Sequence, residues 1–71
     1  MENNYTQAFA KNLKELMGDM SVSELSRQTG IHQQTLSRYL LCQREVSLTY
    51  LCKLADYFEE SIDAMIGRRE Y

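Results

Sequence analysis

In the first quarter of the chain, Phe9, Leu13, Leu16 and Met17 recur at the spacing of one helical face, with polar residues between them. Asn4-Tyr5-Thr6-Gln7 reads as a capping box in front of that face, with Asn4 at the N-cap and Gln7 reaching back. Gly18 closes it, so the pattern predicts a first helix over 5–17. A second box, Ser21-Val22-Ser23-Glu24, leads into Leu25, and Gly30 stands where a left-handed C-terminal residue is wanted. The second helix is therefore short, about eight residues. Only Ile31 and His32 separate Gly30 from a third helix over about 33–41, in which Leu36 and Leu40 lie one turn apart. Ser47 caps a fourth helix over 48–58, with Leu48, Leu51, Ala55 and Phe58 facing inward and Leu54 beside them. Ser61 caps a fifth over 62–66, ended by Gly67, and 68–71 reads as a tail.

No strand-like alternation interrupts this series. Together the elements predict an all-α, compact five-helix domain occupying 1–71, with its core in 5–67. A domain of 71 residues buries only about 60% of its unfolded surface. Function is therefore expected on a surface, not in a deep cleft. The absence of proline and the presence of only three glycines agree with helix throughout. No apolar run approaches the ~18 residues of a membrane span, and no signal-peptide pattern opens the chain, so it reads as soluble and cytoplasmic.

Charge refines the picture. The net charge is −2, but its distribution is uneven. Over 21–44, Arg27, Arg38 and Arg44 outnumber Glu24. Over 45–66, Glu45, Asp56, Glu59, Glu60 and Asp63 outnumber Lys53. A polarised domain of this kind can present one positive face while remaining acidic as a whole. Candidate chemistry is sparse. Cys42, Cys52 and His32 are too few to complete the three or four protein ligands of a zinc site, and the thiols read as small buried side chains. No paired carboxylates, activated nucleophile or phosphate loop appears, so neither enzyme, metal, cofactor nor small-molecule ligand is expected.

A short helix, a tight glycine turn and another short helix is the sequence form of helix-turn-helix, here over about 21–41. The stretch SVSELSRQTGIHQQTLSRYL, continued by VSLTYLCKLADYFEESIDAMIG, resembles the DNA-binding domain of phage repressors and Cro proteins, the xenobiotic-response-element (Cro/C1-type) family. The resemblance covers about 9–67. It rests on Leu13, Leu16, Glu24-Leu25, Gly30-Ile31, Thr35-Leu36-Ser37-Arg38-Tyr39, Leu48, Leu51, Leu54-Ala55, Phe58 and Ile62. It implies a lambda-repressor-like fold and a sequence-specific regulator of transcription, a repressor, that binds double-stranded DNA.

In such domains the start of the second helix of the motif enters the major groove. Gln33 and Gln34 are the first exposed side chains there, and a glutamine amide can pair bidentately with one adenine. Ser37 and Arg38 follow four residues later on the same side, and arginine suits guanine. These four are the expected base readers. Phosphate contacts are expected from Val22 and Ser23 at the start of the second helix, from Arg27, Gln28, His32 and Thr35, and from Gln43 and Arg44 beyond the third. His32 is also expected to cap the third helix.

Three positions depart from the family pattern. Val22 stands where glutamine is frequent. Cys42 replaces a glycine, so a left-handed turn there is either absent or differently built. Leu40 replaces a glutamate that often pairs with an arginine late in the first helix, and Met17 takes that arginine's place, which predicts an apolar contact instead of an ion pair. The missing basic cluster after the third helix predicts weaker phosphate contact than the family usually makes.

A second surface is expected on the fourth and fifth helices, where Tyr50, Leu54, Tyr57 and Met65 are the candidates for a homodimer interface and hence for a palindromic operator. The alternative reading is a protein-interaction module, antitoxin-like, that holds a protein partner through this acidic helix 4–5 face.

Overall fold

The computed structural model describes residues 4–68, and every regular element among them is helical. Their order is α1 (Tyr5–Met17), α2 (Val22–Thr29), α3 (Gln33–Leu40), α4 (Leu48–Phe58) and α5 (Ile62–Met65). Three starts follow one rule. The hydroxyls of Ser21, Ser47 and Ser61 accept from the N–H groups of Glu24, Tyr50 and Ala64 at 3.0, 3.2 and 3.0 Å. Each such cap contributes about 1 kcal/mol by occupying a helical N–H that has no carbonyl partner. The other two starts depart from expectation. Asn4 and His32 occupy N-cap positions, but neither side chain caps. Asn4 sits at φ −88°, ψ 2° instead of the extended geometry that aims a side chain at the helix end.

Three of the helix ends share a second rule. After α3, the N–H of Gln43 donates to Arg38 O and that of Cys42 to Tyr39 O. After α4, Glu60 donates to Ala55 and Glu59 to Asp56; after α5, Arg68 donates to Asp63 and Gly67 to Ala64. This is the Schellman pattern, which places one residue in left-handed geometry. Cys42, Glu59 and Gly67 hold that place, at φ 58°, 57° and 81°. The left-handed turn after α3 is thus present although its glycine is not. An L residue there carries strain of about 1–2 kcal/mol, offset in part by glycine's larger entropy when unfolded. Cys42→Gly is therefore expected to stabilise the fold by up to about 1 kcal/mol, read as a higher thermal midpoint; an unchanged or lower midpoint would contradict the strain argument. Gly67 is fixed by packing as well, because a Cβ on it would lie 2.8 Å from that of Ala8.

The core is built from Phe9, Leu13, Met17, Leu25, Ile31, Leu36, Tyr39, Leu51, Leu54, Ala55 and Met65. Leu16, Leu40, Phe58, Ile62 and Ile66 pack at its edge. Three assignments change. Leu48 is 73% exposed, since as the first residue of α4 it overhangs the end of the core. Leu54 and Met65, expected as candidates for a homodimer interface, are fully buried. Leu54 lies three residues beyond Leu51 and four before Phe58, which places it on the inward stripe. The third helix stops one residue early, with Leu41 as its C-cap, and the fifth stops at Met65, with Ile66 capping. Cys42 is exposed and Cys52 half-buried, both as free thiols, so the expectation of two buried thiols fails. The expected tail, 68–71, lies outside the described residues beyond Arg68. No helix among those described is long and apolar enough to cross a membrane.

Leu40 is half-buried at the edge of the core and shares a surface cavity with Met17, Met20, Val22, Leu41 and Lys14. A carboxylate there would be set against mostly apolar surface. Leu40→Glu is expected to cost about 1 kcal/mol or more in a thermal or urea melt, and adding Met17→Arg is expected to restore part of it. A neutral Leu40→Glu substitution would remove the idea that an ion pair has been exchanged for apolar contact.

Candidate nucleic-acid interface

The third helix is held from beneath and polar above. Leu36 is fully buried, and Tyr39 is 1% exposed with its ring edge-on to Phe9 of α1, centroids 5.8 Å apart at 77°. Those two anchors lie three residues apart, so they take one face and leave the opposite one outward. Gln33, Gln34 and Arg38 are exposed on α3, and Ser37 and Thr35 are half-buried. The spacing of Gln33 to Ser37 and of Gln34 to Arg38 is one helical turn, which sets the four expected base readers in two adjoining rows.

The turn in front of α3 is fixed by side chains that sequence reading overlooked. Gly30 adopts the left-handed conformation, φ 77°, and its N–H donates to Ser26 O. The hydroxyl of Ser26 donates to the carbonyl of Ile31 at 2.6 Å. The hydroxyl of Thr29 donates to Leu25 O at 2.8 Å and accepts from the N–H of Ile31 at 3.3 Å. Ile31 itself is fully buried. Both hydroxyls thus tie the connection to α2, and α3 inherits its direction from them. Short hydroxyls near a helix end bond readily to nearby backbone, so Ser26 and Thr29 beside a capping glycine were a readable signal.

The expected phosphate contacts divide into two groups. Val22 is half-buried and Ser23 exposed at the start of α2, where the first N–H groups of a helix have no internal acceptor. His32 is exposed in front of α3, and Gln43 and Arg44 are exposed after it. Arg27 and Gln28 are exposed too, but both are held by one carboxylate. The guanidinium of Arg27 donates to Oε1 of Glu24, and the amide of Gln28 donates to Oε2 at 2.8 Å. Helical spacings of three and four made that cluster readable as well.

Lys53 is a further cation that sequence reading missed. It belongs by position to the acidic part of the chain, yet its Nζ lies 3.9 Å from where a Cβ on Gly30 would stand. The packing of α4 on α2 carries it to the turn. No local pattern signals this. The remaining positions of the second surface separate clearly: Tyr50 is half-buried and Tyr57 37% exposed, while Leu54 and Met65 are inaccessible.

Asn12 ties the last helix to the first. Its amide donates to the carbonyls of Ala64 and Met65, both at 3.0 Å. Among the described residues no group of histidine, cysteine, aspartate or glutamate is arranged to hold a metal ion.

A family model described as helix-turn-helix matches residues 11–65, from within α1 to the end of α5. Comparison with curated proteins and with solved structures gives no match.

Proposed function

This chain belongs to the Cro/C1-type helix-turn-helix family of DNA-binding regulators, and from that membership we propose that it is a repressor that reads the major groove with α3. The observation that carries the reading is the pair Gln33–Gln34, exposed at the start of a helix whose buried side is locked by Leu36 and Tyr39. Side chains that are free at the tip of a rigid element can meet base edges at little cost in ordering. Ser37 and Arg38 extend the readout one turn deeper, and Arg38 is suited to guanine O6 and N7.

Positioning falls to Val22 and Ser23, to His32 and Thr35, and to Gln43 and Arg44, while Arg27 and Gln28 stand on the same motif with their donors engaged by Glu24. With so few cations on this face the electrostatic share of binding is small for the family. Two copies related by a two-fold axis would set their α3 helices about 34 Å apart and require a palindromic operator. Tyr50 and Tyr57 are the two expected interface residues that remain accessible for such a homodimer.

Selection of bound duplexes from a randomised DNA library by the purified chain tests the reading. A palindrome with adenine in each half-site is the expected product. A single short half-site would keep the regulator and remove the dimer. No enrichment at low salt would remove direct DNA reading and favour a protein partner on the α4–α5 face.

A further inference from the structure

We propose that Glu24 restrains the affinity of this domain for DNA by holding Arg27 and Gln28 away from the phosphate backbone. The inference rests on the DNA-binding reading above and adds to it a residue that limits binding instead of supplying it.

The geometry is specific. Each oxygen of the Glu24 carboxylate is committed to a different side chain, Oε1 to Arg27 and Oε2 to Gln28. Both donors are on the exposed side of α2, and the Arg27 side chain is 72% exposed. A guanidinium that shares its charge with a neighbouring carboxylate neutralises a phosphate less completely, so fewer of the cations condensed on the DNA are released when the two meet. Glu24 itself stands in the first turn of α2, near the positive end of the helix. There it competes with any incoming phosphate for the positive end of the helix and repels it directly. Both effects act in one direction, against binding.

Removing the charge leaves the local fold in place. Ser21 caps the backbone N–H of Glu24, not its side chain, so Glu24→Gln retains the cap. A surface ion pair of this type contributes at most about 1 kcal/mol to stability, and the variant is expected to stay folded.

The experiment measures the affinity of wild type and of E24Q for the duplex recovered by selection, across 50 to 200 mM salt. E24Q is expected to bind more tightly at the low end of that range and to show a steeper salt dependence. One additional phosphate neutralised raises the slope of log K against log salt by about 0.9, so the advantage should shrink about 3.5-fold over that range. In an R27Q background the same substitution should lose most of this steepening. An unchanged slope and affinity in E24Q overturns the restraint. Weaker binding by E24Q also overturns it, and would make Glu24 a residue that positions Arg27 for contact. Wild-type chain that fails to bind duplex at 50 mM salt overturns the DNA-binding reading and the restraint together, which separates that failure from the other two.

Discussion

Gln33→Ala and Gln34→Ala are each expected to weaken binding to the selected operator by about 1–3 kcal/mol, or roughly five- to 150-fold, while leaving the fold intact. Both side chains are exposed and neither packs in the core, so their removal creates no cavity. On the proposed readout, what is lost is a donor and an acceptor matched to one base edge. The loss should therefore be selective: affinity for unrelated duplex, which depends on phosphates, should change little. Competition binding with operator and scrambled duplex separates the two terms. Equal weakening on both would reassign the glutamines to the backbone. No weakening on either would remove them from the interface. If one is bidentate to adenine, operator variants at a single base pair should lose their discrimination only in that substitution.

Tyr39→Ala is expected to cost about 3–5 kcal/mol of stability, the usual range for truncating a large buried aromatic side chain. The ring is 1% exposed and edge-on to Phe9, so truncation loses area, the aromatic contact and the tie between α3 and α1. For a 71-residue domain holding roughly 0.05–0.15 kcal/mol per residue, that is a large fraction of the total. Each kcal/mol shifts the thermal midpoint of a domain this size by about 4–8 °C, so a drop of at least about 12 °C by circular dichroism is the expected reading. Tyr39→Phe keeps the ring and should lose far less. A loss below about 1 kcal/mol in Tyr39→Ala would mean that α3 is held chiefly by α2, through Leu36 and the Ser26 hydroxyl.

Much of the architecture is legible in the sequence. Apolar spacing, three serine caps and the Gly30 stop located all five helices to within a residue, because those signals are local: a 3.6-residue period and a hydroxyl beside a free N–H depend on neighbours in sequence. The same locality explains the failures. Asn4-Tyr5-Thr6-Gln7 has the composition of a cap, but the backbone at Asn4 does not take the extended geometry a cap needs. The pattern cannot distinguish an inward residue in the middle of α4 from one that overhangs its end, so it sets Leu48 inward and Leu54 only beside that stripe, as an interface candidate.

The sequence by itself determined that five helices form, that two of them make a helix-turn-helix, and that polar side chains crowd the start of α3. Only the tertiary structure decided which side chains each helix could still offer. It buried Leu54 and Met65 and brought Lys53 from an acidic stretch to the Gly30 turn. The physical reason is that periodicity fixes a face, whereas burial and the company of charges depend on the elements packed against that face. Those elements are distant in sequence and meet only when the core closes.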